Sequence, residues 1–287
     1  MIRSDKKRYT ADLLLLLTAM IWGLGFFFQK VAAETTSPFA FNALRYLIAA
    51  LVLMIFARFR LPFRGEAGKY TLLAGFVLFL AGMFQQIGLQ TASIGNTSFI
   101  TAVYIVLVPF FSALFLHRRI KPAHILAALL SLAGLYLIST SGKGLERISG
   151  GDMIVFLGSV FWALHILVID KAVSLCDPLE FSAGQFLIAG ICHTLAWLIF
   201  GKADPAGLSV SWPYAAASGL FVLALAFTLQ AIGQKNTGET EASIILGLES
   251  VFGALFGVIL YHEQFAPVQV AGMILIFAAV LIAVLKS

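Results

Sequence analysis

The chain is written twice. Laid from Ala11 onto Gly151, its first copy matches its second at a constant offset: Asp12 falls on Asp152, Trp22 on Trp162, Pro38 on Pro178, Phe41 on Phe181 and Leu47 on Leu187. After about five residues of extra loop the match resumes, with Gln85 on Gln230, Ser98 on Ser243, His117 on His262 and Pro122 on Pro267. Both copies are strongly apolar. A chain of this kind must build one helical unit twice and fit the copies together.

The solvent of that fold follows from composition. Hydrophobic residues make up 60% of the chain and charged residues 11%, against roughly 45–50% and about 25% in a soluble domain. Such a surface belongs in a bilayer. The net charge of +5 is carried in short loops, which points away from nucleic acid as a partner. Cys176 and Cys192 are the two cysteines, too few for a disulfide framework or a metal cluster.

A spanning helix needs about 20 mostly apolar residues. Ten stretches qualify on that reading: 11–31, 39–58, 70–90, 96–117, 122–140, 152–172, 179–200, 213–233, 240–261 and 267–286. Pro and Gly punctuate the breaks, as at Ser37-Pro38, Lys121-Pro122, Asp177-Pro178, Asp204-Pro205 and Ala266-Pro267. With the N-terminus inside, the inner segments hold 14 of the 19 Lys and Arg residues, the outer segments hold Lys30, Lys143, Arg147 and Lys202, and Arg45 lies within a span. By the positive-inside rule both termini are cytoplasmic and the protein is a multi-pass protein of the plasma (inner) membrane. The first span is expected to be retained rather than cleaved as a signal peptide, because no small-residue cleavage site follows it and its copy sits mid-chain. Five helices per half is an odd number, so the second copy enters from the opposite side. The expected fold is an all-α integral membrane protein of ten helices in two inverted five-helix repeats: residues 1–140 and 152–287, joined by a linker at 141–151. Duplicated apolar halves of this kind mark secondary transport, with a solute site between them.

Particular residues carry a family resemblance. Trp22, Gly23, Lys30, Pro38 and Arg45 in the first copy, and Gln234, Glu241, Ala242, Glu249, Gly253 and Glu263 in the second, resemble the signatures of the EamA family of the drug/metabolite transporter superfamily, over almost the whole chain. The chain departs from the family pattern in places. Where the family carries Pro just after the position of Glu249 there is Ser250, and the first-half equivalent is Ile105, with Pro109 one turn later. The Glu that ends this span is Glu263 in the second copy but Arg118 in the first. The resemblance implies a ten-helix fold, a central cavity lined by the first, third, fourth, sixth, eighth and ninth helices, and export or exchange of small metabolites.

Ionisable groups in a bilayer are costly, so each is a functional candidate. Glu249 lies about nine residues into its span, roughly 13 Å deep, and its repeat mate is Tyr104. Together they can bind a cationic or amino group or relay a proton; the structural alternative is a hydrogen bond that holds the halves together. Glu241, two turns earlier, either guards the inner entrance or caps and snorkels. Arg45, about 10 Å below the outer surface, reaches toward the headgroups, pairs with Glu34, or recognises a substrate carboxylate. Trp22, Phe26 and Gln29 share one helical face, and Trp162, His165 and Ile169 share the corresponding one. These aromatics can stack on a solute or hold a cation, or they can pack helices. His165 is a proton switch or a satisfied core histidine. Gln85 and Gln230 form a symmetric amide pair, satisfied by the other half or by substrate. Gly253 and Gly257 form a small-residue step for internal packing or dimerisation, so monomer and homodimer both stay open.

No phosphate-binding loop GxxxxGK[ST] occurs, and HEQFA at His262 lacks the second His of HExxH. Polar groups are scattered singly, so the chain reads as neither an enzyme nor a cofactor carrier. The expected function is secondary transport of small molecules, amino acids or related neutral or cationic organic solutes, by alternating access. The alternative is a membrane subunit of structural or regulatory role that does not transport.

Overall fold

The computed structural model describes residues 2–92, 94–140, 149–201, 204–261 and 266–285. Its regular elements are all helical. They are α1 (Ile2–Thr35), α2 (Pro38–Phe56), α3 (Gly65–Gly88), α4 (Ile94–Thr101), α5 (Tyr104–Leu116), α6 (Pro122–Thr140), α7 (Gly150–Ala172), α8 (Pro178–Phe200), α9 (Pro205–Ala217), a π-helical segment (Ser218–Phe227), α10 (Thr228–Gln234), α11 (Glu239–Leu246), α12 (Glu249–Tyr261) and α13 (Pro267–Leu285).

The helix starts lie where local chemistry puts them. α2, α6, α8, α9 and α13 all open on Pro, whose fixed φ suits the first turn and whose missing N–H costs nothing there. Ser149 and Asp152 close a reciprocal capping box on α7. The Asp177 carboxylate accepts from the N–H groups of Leu179 and Glu180, and Asp204 accepts from that of Gly207. This last cap starts the eighth span at Pro205, eight residues before the sequence reading placed it.

Among the described residues, eight stretches are long and apolar enough to cross a membrane: Lys7–Thr35, Pro38–Phe56, Gly65–Gly88, Thr97–Leu116, Gly150–Ala172, Pro178–Phe200, Pro205–Gln234 and Pro267–Leu285. The other two of the ten expected spans, 122–140 and 240–261, are not among the eight. The first is the helix α6, of 19 residues. The second holds α11 and α12, which meet at Gly247-Leu248 as α4 and α5 meet within Thr97–Leu116.

Large apolar side chains point outward, among them Leu51, Ile55, Leu198, Phe200, Ile274 and Phe277. In lipid this is a solvated face. Small residues line the helix contacts instead, where close approach of backbones supplies the dispersion energy that hydrophobic burial cannot give between apolar helices. Packing follows the duplication. α2 lies on its repeat mate α8, and α6 on its mate α13. The α3–α7 contact has its counterpart in α1 against α9, the π segment and α10. At the α6–α13 crossing, a Cβ on Gly134 would sit 2.5 Å from the Gly272 carbonyl oxygen, and the converse holds for Gly272.

A second tight crossing joins α1 to α12. A Cβ on Gly23 would lie 2.7 Å from the Gly253 nitrogen and from the Phe252 Cβ, whereas a Cβ on Gly253 would meet nothing nearer than 3.6 Å. The side-chain surroundings of Gly257, and all of Glu263, lie outside the described residues. The asymmetry at this crossing is testable. Gly23→Ala is expected to cost about 1–3 kcal/mol by overpacking, and Gly253→Ala less than about 0.5 kcal/mol. Thermal unfolding of the two variants in detergent measures the difference.

Candidate functional site

Two helices are interrupted at repeat-equivalent residues. α4 gives way to α5 at Ala102-Val103, and α11 to α12 at Gly247-Leu248. The hydrogen bonding repeats as well. Ala102 N–H donates to the Ser98 carbonyl as Gly247 N–H does to that of Ser243. Val103 donates to Ile100 as Leu248 does to Ile245. Ile105 donates to Ala102 as Ser250 does to Gly247. A tightened turn of i→i−3 bonds thus replaces the α-helical ladder in both copies. It forms without the family's proline, since Ile105 and Ser250 stand at those places. The Ser250 hydroxyl donates back to the Gly247 carbonyl at 2.9 Å, and Pro109 is buried inside α5 one turn on. The two breaks touch: the Ile105 side chain of one occupies the space that a Cβ on Gly247 of the other would take.

The residues that resume the two helices are Tyr104 and Glu249. Both are buried, and the Tyr104 hydroxyl donates to Glu249 Oε1 at 3.1 Å. They line a cavity of about 40 Å³, room for a few waters. All eight residues named from the sequence for substrate contact line it: Trp22, Phe26, Gln85, Tyr104, Trp162, His165, Gln230 and Glu249. Ile166 lines it as well, whereas Ile169, on the Trp162–His165 face by sequence, belongs to a core cluster with Ala172 and Phe181.

Aromatic rings join the halves across this cavity. Phe227 stands between the two tryptophans, its centroid 4.6 Å from Trp22 and 5.9 Å from Trp162. Trp162 Nε1 donates to Gln85 Oε1 at 2.7 Å. The equivalent bond in the other copy is absent, because Trp22 Nε1 donates to the Val222 carbonyl at 3.3 Å and Gln230 donates to Gln234 at 2.8 Å. Both α1 bonds go to carbonyls of the π segment, Val222 through Trp22 and Ala226 through Thr18. Phe227 was not foreseen, since a π segment has no periodicity signature in an apolar run.

The second helix also reaches the cavity, which the family resemblance does not imply. Arg45 and Tyr46 line it. Arg45 neither rises toward the headgroups nor pairs with Glu34: it is 2% exposed, and Glu34 pairs with Lys30 at 3.3 Å. The Arg45 guanidinium instead lies 5.2 Å from the Phe41 ring centroid and 5.1 Å from that of Tyr46. It donates to Asn42 Oδ1 at 2.9 Å and to Ser218 Oγ at 3.4 Å. Its repeat mate Gln185 lies 2.8 Å from His165 Nε2.

One end of the bundle is tied by charge. Arg118 Nη2 lies 2.9 Å from Asp170 Oδ2, and its Nη1 donates to Glu239, which also accepts from Ser112. Glu241, read from the sequence as an entrance guard or as a capping or snorkelling group, is buried against Arg8 at 2.7 Å, and Arg8 also donates to the Val284 carbonyl. Thr237 donates to Asp12 at 2.9 Å. Arg118, standing where the family has Glu, therefore bridges α5, α7 and α11. These are residues that the charge bias assigns to the inner side.

Helices of membrane-crossing length around a buried polar site define a multi-pass membrane protein. The model of the EamA-like transporter family matches residues 9–140 and again residues 149–285, and the chain belongs to that family. It is similar to an uncharacterized transporter of Archaeoglobus fulgidus, 33% identical over 98% of this chain and 87% of that protein. It also resembles the uncharacterized transporter YvbV of Bacillus subtilis, at 28% identity over 96% and 92% of the two chains. A solved crystal structure, 19% identical, superposes with a TM-score of 0.81 over 97% of both chains; this likeness concerns the fold alone.

The charged tie makes a quantitative prediction. Arg118→Gln leaves the buried Glu239 without its cation. The expected cost is about 2–3 kcal/mol, below the value for a fully buried pair because Arg118 is half exposed. Glu239→Gln removes the buried charge itself and is expected to cost less. Thermal unfolding of both variants, with the double variant closing the cycle, measures the coupling.

Proposed function

We propose that this protein is a secondary transporter that exports or exchanges small metabolites, amino acids or related neutral or cationic organic solutes, across the plasma (inner) membrane. Its two halves, residues 1–140 and 152–287, act as inverted five-helix repeats that rock against each other around the Trp22–Tyr104–Trp162–Glu249 site. Both termini face the cytoplasm. Family membership supports transport. The observation that carries the site is the pair of interrupted helices, which bring Tyr104 and Glu249 together inside an aromatic cavity. Interrupted helices meeting where two repeats join are the usual construction of a solute site in such proteins.

Alternating access explains two further features. A site that encloses a small organic solute needs about 300 Å³ or more, so a cavity of about 40 Å³ must widen as the halves part. The ion pairs of Arg8 and Arg118 close the end assigned to the cytoplasm, and they must break for the solute to enter or leave there. The gradient of the solute, of an exchanged partner or of protons supplies the work.

Counterflow in proteoliposomes tests this reading, with a pooled panel of labelled amino acids, nucleosides and organic cations. Saturable uptake is expected. It should fall at least about tenfold in Trp22→Ala, Trp162→Ala and Glu249→Gln, and less in Tyr104→Phe, which loses one hydrogen bond of about 1 kcal/mol. Uptake unchanged in all four folded variants would place the site elsewhere. No counterflow for any solute would favour the subunit that does not transport.

Orientation has its own check. The loop holding Cys176 is assigned to the cytoplasmic side, and burial pushes its thiol up to about 11. The reactive thiolate is therefore scarce at neutral pH and grows about tenfold per pH unit below that value. In a Cys192→Ser background, an impermeant maleimide is expected to label inside-out vesicles about tenfold faster at pH 9 than at pH 8, and right-side-out vesicles hardly at all. Preferential labelling of right-side-out vesicles would reverse the topology.

A further inference from the structure

Arg45 is a buried cation with no counter-ion among the described residues. Both hydrogen bonds of its guanidinium go to neutral acceptors, Asn42 and Ser218, and no carboxylate pairs with it among the described residues. Ring faces of Phe41 and Tyr46 supply the remaining attraction. A charge held this way in a membrane interior is costly unless something pairs with it. The side chain also lines the cavity.

The same wall carries other polar groups, donors such as the Tyr46 and Thr101 hydroxyls as well as acceptors. Glu249 has one hydrogen bond, from Tyr104, and forms no ion pair with Arg45. Gln29 Oε1 and Gln230 Oε1 are buried and without a hydrogen-bond partner among the described residues. Trp22, Trp162, Phe227 and Phe26 supply the apolar part of the lining. Among the described residues the cavity thus presents one planar cation, one acid, neutral polar groups and aromatic faces.

We infer that Arg45 is the carboxylate receptor of the solute site, and that the solute is a zwitterion of amino-acid type, its ammonium group meeting Glu249 and the free amide oxygens. This rests on the transporter reading and narrows it, by excluding simple organic cations and uncharged solutes as preferred cargo. A guanidinium offers a carboxylate two parallel N–H donors. No second Lys or Arg lines the cavity among the described residues, so a single negative charge is matched and a phosphate dianion is not. A solute with no net charge also crosses without work against the membrane potential, which is about 2.3 kcal/mol per charge per 100 mV.

The test uses matched sets on the full-length protein in proteoliposomes. Phenylalanine, leucine and methionine are each compared, as competitors of counterflow, with their primary amides and their decarboxylated amines. The free acids are expected to compete at about ten- to hundredfold lower concentration than either neutralised form. Arg45→Gln should abolish that preference, and Arg45→Lys should retain part of it. Quenching of tryptophan emission by the same sets gives a binding readout on the native protein, and decides the matter if Arg45→Gln fails to fold. Amides or amines that compete as well as the acids overturn the inference and leave transport standing, as does an acid preference that survives in Arg45→Gln. Absence of counterflow and of quenching for every solute overturns the transporter reading, and the inference with it.

Discussion

A backbone that crosses a bilayer has nothing but itself to bond with, so an interrupted helix is tolerated only where protein covers the gap. Here the two gaps cover each other. Ile105 of one break fills the space left beside Gly247 of the other, and each gap re-satisfies its carbonyls by the same set of tightened turns. The rest of the interior follows from that meeting. It sets Tyr104 opposite Glu249, and it faces both toward the tryptophans of the adjacent helices. The site is therefore built from backbone geometry first, with side chains added at the positions the two breaks offer.

Much of this was legible in the sequence, for a physical reason. Duplication ties the two halves to one plan, so a residue read in one copy calls attention to its mate. Trp22 with Trp162, Gln85 with Gln230 and Tyr104 with Glu249 were paired on that ground, and all six line one cavity. The helix starts at Pro38, Pro122, Pro178 and Pro267 were readable because proline acts locally. What stayed hidden depends on neighbours that a linear reading does not supply. Arg45 has stem enough to reach the headgroups, and only the placement of Phe41, Tyr46, Asn42 and Ser218 turns it inward. The π segment leaves no mark on a run of ten apolar and small residues. The interruption at Gly247-Leu248 lacks the proline that would have announced it, and it divided a stretch that hydropathy alone reads as one span.

The departures from repeat symmetry cluster at chemically important places. Tyr104 answers Glu249, Gln185 answers Arg45, and Arg118 stands where the second copy has Glu263. A regular α3 segment answers the π segment. The helical frame keeps the common plan because both copies must solve the same packing problem in lipid. The side chains facing the cavity and the charged end are released from that demand, since each meets a different surrounding. Symmetry is thus retained in the scaffold and spent in the lining.

The outward side chains bear on the membrane itself. Leu51, Ile55, Leu198, Phe200, Ile274 and Phe277 are exposed, and in a bilayer their neighbours are acyl chains. A bilayer whose hydrocarbon does not match this apolar surface costs fractions of a kcal/mol per ångström. Acyl-chain length thereby becomes a variable of the protein's energetics, set by the lipid rather than by the sequence.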